Sequence, residues 1–138
     1  WAFESVRQAQ MERRAGRHAA ALALLDAAEP AFAAALPERH PALAQPLRIR
    51  GQIALAEGRI DEAQRDFEQA AALIGNDALA FDRAIVACEQ AAVAFARGDR
   101  AAATALLHAH LPVLRGATLP GEVNRTAAEA LAARLGLD

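Results

Sequence analysis

The residues best suited to metal binding or nucleophilic catalysis are four histidines and one cysteine: His18, His40, His108, His110 and Cys88. On a helix, the two-residue spacing of His108 and His110 points their side chains to different sides, whereas helical ligand pairs are four residues apart. Cys88 follows the apolar run 84–87, and no base stands at a suitable spacing from it, so we interpret it as a small buried hydrophobe. We therefore expect no metal site, no cofactor and no catalytic centre.

The remaining charged residues do not form a recognisable catalytic or nucleic-acid-binding pattern. Asp61, Glu62, Asp66 and Glu68 follow a predicted turn, where carboxylates stabilise the start of a helix, and we interpret them as a solvated face. Gly-rich phosphate loops, Ser-His-Asp order and CxxC motifs do not occur. The net charge of −2 argues against a nucleic-acid module, which needs a basic face. Apolar runs such as 19–25 are far shorter than the ~20 residues that span a bilayer, so we expect no membrane insertion.

The composition indicates an all-α protein. Alanine supplies much of the 54% hydrophobic fraction, and alanine has the highest helix propensity. All 15 basic residues are arginine, which together with the abundant alanine is typical of a GC-rich bacterial genome. The single cysteine excludes an internal disulfide and leaves the compartment open. Because the chain begins at Trp1 without an initiator methionine, we take it to be a segment of a longer protein.

Three segments of the chain share one spacing around a glycine. The three glycines are Gly16, Gly58 and Gly98. A small residue lies seven positions before each glycine, an alanine lies five positions after it, and a large apolar residue lies nine positions after it. These positions are Ala9, Ala21 and Leu25, then Gly51, Ala63 and Phe67, then Ala91, Ala103 and Leu107. The pattern predicts antiparallel helix pairs, in which the glycine forms a left-handed turn and the small residues face each other where the helices cross.

The same pattern sets the expected helix boundaries. Helices are predicted over 2–15, 17–36, 41–57, 60–74, 78–97, 99–111 and 121–135. Pro30 should kink or shorten the second helix, and Pro112 should end the sixth before a loop over 115–120. Asp77 is expected to be the N-cap of the fifth helix. The last helix has one apolar side and should cover the end of the stack, with Val123, Ala127, Ala130, Leu131 and Leu135 on that side.

These features resemble the tetratricopeptide repeat, and the spacing is similar to the 42-residue variety of kinesin light chains and bacterial repeat proteins. His40-Pro41 opens the best-matching repeat, which continues through Gly58, Ala63, Phe67 and Ala70. The resemblance implies a single domain, 1–138, folded as a right-handed α-solenoid. Its three helix pairs would cover about 1–36, 40–75 and 78–113, followed by a C-terminal capping helix at about 121–135.

The resemblance also implies that the first helix of each pair lines a concave groove. The positions carried over from the family are Phe3, Val6, Gln10, Arg13, Arg14, Gln45, Arg48, Gln52, Leu55, Ile85, Cys88, Glu89, Ala92 and Phe95. Gln45, Arg48 and Gln52 fall on one helical stripe because they are three and four residues apart. Arginine forks and glutamine amides suit the carbonyls and carboxylates of a peptide. The alternative is that this stripe is an ordinary exposed polar face.

We therefore expect a non-catalytic scaffold module that binds a peptide or helix of a partner protein, with bacterial signalling proteins as a typical setting. A first alternative is a regulatory domain of a signalling protein or transcriptional regulator that binds a small ligand, which requires an apolar pocket with a few converging polar groups. A second alternative is self-association, for which Trp1 and Phe3 provide apolar side chains at one end of the chain.

Overall fold

The computed structural model describes residues 1–75 and 79–137. Within these ranges the chain forms seven α-helices, one short 3-10 helix and no strand, which confirms the predicted all-α class. The α-helices are α1 (Ala2–Arg14), α2 (His18–Ala35), α3 (Ala44–Ala56), α4 (Ile60–Ile74), α5 (Ala80–Ala96), α6 (Arg100–Ala117) and α7 (Val123–Arg134). The 3-10 helix is Pro41–Leu43. Among the described helices, none has the length and hydropathy to cross a bilayer.

Two compact units make up the chain, an N-terminal unit, Trp1–Leu73, and a C-terminal unit, Ile74–Asp138. In the N-terminal unit, α1 packs against α2 and α3, and α2 also packs against α3. In the C-terminal unit, α5 packs against α6, and α7 packs against both. The predicted N-cap Asp77 lies outside the described residues.

The repeat positions found in the sequence are buried. The small residues Ala9, Ala21, Ala63, Ala91 and Ala103 have no exposed surface, and Gly51 is buried as well. The large apolar residues Leu25, Phe67 and Leu107 are also buried. A methyl group or a hydrogen at the small positions leaves room for a neighbouring helix, and the large side chains fill the remaining space.

The turn glycines adopt the predicted left-handed conformation. Gly16, Gly58 and Gly98 have φ values of 81°, 80° and 84°. At each turn the glycine N–H donates to the carbonyl three residues earlier, and the following N–H donates to the carbonyl five residues earlier. This pair of hydrogen bonds is the Schellman motif, which satisfies the last carbonyls of a helix. Gly136 ends α7 with the same two bonds, and Leu137 after it packs against the core.

The prediction that Pro112 ends a helix before a loop over 115–120 is wrong. Helix α6 continues through Pro112 to Ala117, and α2 likewise continues through Pro30 to Ala35. Both prolines lie on the exposed side of their helices. Water can therefore donate to the carbonyl that loses its backbone partner, and packing on the opposite side maintains the helix.

Helix α7 is rotated relative to the sequence prediction. The predicted Leu131 is buried and the predicted Leu135 packs against the core, but the other buried residues are Ala128 and Ala132, and the predicted Val123, Ala127 and Ala130 are exposed. Both sets have the three- and four-residue spacing of a helix face, so periodicity alone does not choose between them in an alanine-rich helix.

Polar contacts of Arg125 accompany this packing of α7. Its Nη1 donates to the Thr118 carbonyl at 3.0 Å, and its Nε donates to Glu129 Oε1 at 3.0 Å. Arg115 of α6 approaches the other oxygen of Glu129 at 3.3 Å. These contacts join α7 to the end of α6, while Leu131 on the other side of α7 packs in the core.

Candidate functional site

Helix α3 carries a polar stripe at its surface. Its buried residues are Ala44, Ile49, Gly51, Ile53 and Ala54. Gln45 is exposed, and Arg48 and Gln52 are half-buried. Arg48 Nη1 donates to Gln45 Oε1 at 2.8 Å, so the glutamine amide orients the guanidinium. The predicted stripe is therefore present on the helix, with an arginine held in a defined direction.

Helix α1, which packs against α3, carries a similar pair. Arg13 Nε donates to Gln10 Oε1 at 2.5 Å, with the same three-residue spacing as Gln45 and Arg48. Gln10 and Arg13 are half-buried, and Arg14 is exposed. We call the six polar residues of the two helices the polar face: Gln10, Arg13, Arg14, Gln45, Arg48 and Gln52.

The apolar positions predicted beside this face differ in accessibility. Phe3 is 61% exposed, and its ring meets the edge of Phe32 with a centroid distance of 5.2 Å and an angle of 88°. Leu55 is half-buried. Val6 is buried in the core of the N-terminal unit, so it offers almost no surface to a partner.

The other predicted groove residues belong to the C-terminal unit. Ile85 and Cys88 are buried in its core, while Glu89 and Ala92 are half-buried. Burial, with a smaller contribution from the charge of Glu89, raises the pKa of the Cys88 thiol to about 11. The burial of Cys88 in the core confirms its interpretation as a buried hydrophobe.

Phe95 has cationic neighbours that the sequence analysis did not identify. The guanidinium of Arg134 lies 4.6 Å from the ring centroid, and that of Arg100 lies 5.8 Å away. Both distances are within the range of cation–π attraction. Arg100 follows the turn at Gly98 and Arg134 lies in the last turn of α7, so tertiary packing brings them to the same ring.

The acidic residues of α4 are mostly solvated, as the sequence analysis predicted. Asp61, Glu62 and Glu68 are exposed, but Asp66 is half-buried. Burial raises the pKa of the Asp66 carboxyl above its ordinary value, against the attraction of Arg50. The sequence analysis assigned Asp66 to the solvated face together with the other carboxylates that follow the turn at the start of α4.

A second surface feature in the N-terminal unit was missed by the sequence analysis. It is an open cavity of about 430 Å³ between α2, α3 and the end of α4. Its apolar wall includes Leu25, Phe32, Leu36, Leu43, Leu47 and Leu73. Glu29, Glu38 and Arg50 provide the charged groups of its lining. The signal in the sequence was the set of leucines around the turn at 37–40, Leu36, Leu43 and Leu47, which the repeat pattern did not use.

The comparisons with known proteins add no relative to this description. Neither the protein-family models, nor the curated proteins, nor the solved structures contain a match to the chain. In the part of the chain that the structure describes, no group of three or more histidine, cysteine or carboxylate side chains is arranged to hold a metal ion.

Proposed function

We propose that this chain is a non-catalytic interaction module whose polar face binds an extended segment of a partner protein. The proposal includes a tetratricopeptide-like arrangement of three helix pairs in a right-handed solenoid. In its support, the small and large apolar repeat positions are buried, and the three turn glycines share one hydrogen-bond pattern. A stack of such pairs creates a concave surface from the first helix of each pair.

The observation that carries the proposal is the polar stripe on α3. Half-buried positions on a helix favour small or apolar residues, because partial burial of a polar side chain costs free energy. Instead, Arg48 and Gln52 are half-buried there, and Gln45 orients the Arg48 guanidinium at 2.8 Å. An oriented guanidinium forms bidentate hydrogen bonds with carboxylates, which favours a partner segment with acidic side chains or a terminal carboxylate.

The proposal is tested by exchanging the charge at Arg48. Wild type, Arg48→Glu and the control Arg39→Glu would be used to capture proteins from a bacterial lysate, and a retained protein would then be titrated against all three. Arg39 is an exposed arginine in the turn at 37–40, so its variant has the same change in charge away from the polar face. We expect Arg48→Glu to weaken binding about tenfold or more, because a hydrogen bond to a charged group contributes ~1.5–3 kcal/mol.

The helical circular dichroism and melting temperature of both variants should remain close to those of wild type. Equal binding by Arg48→Glu and Arg39→Glu would contradict the polar-face proposal. Loss of the helical signal in Arg48→Glu would instead show that this arginine is required for folding.

A further inference from the structure

We propose that the apolar cavity of the N-terminal unit is a second binding site, which takes a small amphiphilic organic cation. The proposal rests on the juxtaposition of a leucine-lined cavity with two carboxylates, Glu29 and Glu38, in its lining. The expected ligand has an aliphatic or aromatic body and one ammonium or guanidinium group.

The cavity has the dimensions and wall of a small-molecule site. Its volume of about 430 Å³ lies within the range of ~300–1,000 Å³ that is usual for ligand pockets. Leu25 and Phe32 are buried, while Leu36, Leu43 and Leu47 are half-buried around them. The remaining exposed surface of these leucines would be removed from water by an apolar ligand body, which is the main source of affinity in such sites.

The charges in the lining favour a cation. Glu29 and Glu38 are exposed, and neither has a hydrogen-bond or ion-pair partner among the described residues. The cation of the lining, Arg50, is engaged elsewhere, because its Nη2 lies 2.6 Å from Asp26 Oδ1. An anionic ligand would meet two carboxylates and an arginine whose charge is already balanced. A cationic group would instead be attracted to Glu29 and Glu38.

This site is separate from the polar face. Pro46, Leu47 and Arg50 line the cavity, whereas the polar face uses Gln45, Arg48 and Gln52. Successive residues of an α-helix are rotated by about 100° around its axis, which places these two sets on opposite sides of α3. Binding at the cavity can therefore succeed or fail independently of partner binding at the polar face.

The test uses three probes that share a phenylbutyl body and differ in charge: 4-phenylbutylammonium, 4-phenylbutanol and 5-phenylpentanoate. Each would be titrated into the 138-residue chain and followed by isothermal calorimetry and by amide chemical shifts of the cavity leucines. We expect the affinity order ammonium, alcohol, carboxylate. The double variant Glu29→Gln/Glu38→Gln should weaken ammonium binding about fivefold, as expected for two exposed charge pairs, and should leave alcohol binding unchanged.

Two further variants locate the site. Ala33 lines the cavity on the exposed side of α2, so Ala33→Phe should abolish binding of the ammonium probe while the melting temperature is preserved. Ala35 is also exposed but is absent from the lining, so Ala35→Phe is the control and should bind as wild type. The proposal is overturned if the ammonium probe does not bind, if it binds no more tightly than the alcohol, or if Ala33→Phe binds it as tightly as Ala35→Phe.

Discussion

Replacing Gly51 with alanine measures how closely α4 packs against α3. A Cβ atom built at Gly51 would lie 2.8 Å from Cε1 and 2.9 Å from Cζ of Phe67. Carbon atoms in contact are normally ~3.5–4.0 Å apart, so one of the two groups must move. The Phe67 ring is only 1% exposed, and a buried ring of this kind has little space into which it can shift.

The expected free-energy change is the balance of two opposing effects. Alanine favours a helix over glycine by ~1 kcal/mol, whereas overpacking a filled core costs ~1–3 kcal/mol. We expect the steric cost to exceed the gain, so Gly51→Ala should lower the free energy of unfolding by about 1 kcal/mol. Gly116 provides the control, because it lies in α6 and a Cβ atom added to it would meet no heavy atom within 4 Å. Gly116→Ala should stabilise the protein by ~0.5–1 kcal/mol.

The assay is urea unfolding followed by far-UV circular dichroism, with the unfolding midpoint and slope compared among variants. A double-mutant cycle with Phe67→Leu identifies the cause. In the Phe67→Leu background the clash is relieved, so Gly51→Ala should become stabilising. If Gly51→Ala stabilises the wild-type background as much as Gly116→Ala does, or if Phe67→Leu leaves its effect unchanged, the proposed contact is refuted.

Two further predictions concern the buried thiol of Cys88 and the half-buried carboxyl of Asp66. The pKa of the Cys88 thiol is about 11, so little reactive thiolate is present at pH 8 in the folded protein. A disulfide reagent at pH 8 should therefore label the native protein about 100-fold or more slowly than the protein unfolded in guanidinium. Equal labelling rates would contradict the burial of Cys88. Burial raises the pKa of Asp66 in the folded protein above its value in the unfolded chain. The ionised carboxylate therefore destabilises the folded state at a pH above the folded pKa, and this destabilisation is absent at a pH below the unfolded pKa, where both states are protonated. Asp66→Asn should therefore raise the melting temperature at pH 7 and leave it unchanged near pH 3, whereas a lower melting temperature at pH 7 would show that the attraction of Arg50 dominates.

Local features of the fold were predictable because the signals are local. The left-handed turns at Gly16, Gly58 and Gly98 follow from the conformational freedom of glycine, and the structure has positive φ at all three. The burial of Phe67 nine residues after its turn follows from helical periodicity. The placement of Gln45 and Arg48 on one stripe likewise depends only on their spacing.

The prolines show where local rules were insufficient. Pro112 has a low helix propensity, which predicts a helix end, yet α6 continues through it. Packing of Leu111 and Leu114 against the core continues on both sides of this residue. Several buried contacts outweigh one missing hydrogen bond, and their number is known only once the neighbouring helices are in place.

What the sequence determined by itself was the helical class, the turns, the residues of the repeat pattern and the stripe on α3, because each depends on composition or on spacing along one helix. Tertiary structure decided which side of α7 is buried, the partial burial of Asp66, and the cavity beside Glu29 and Glu38. Each of these depends on side chains from different helices meeting in space. Alanine-rich helices offer several equivalent apolar faces, so only the packed neighbours select which face is buried and which surface remains for a ligand.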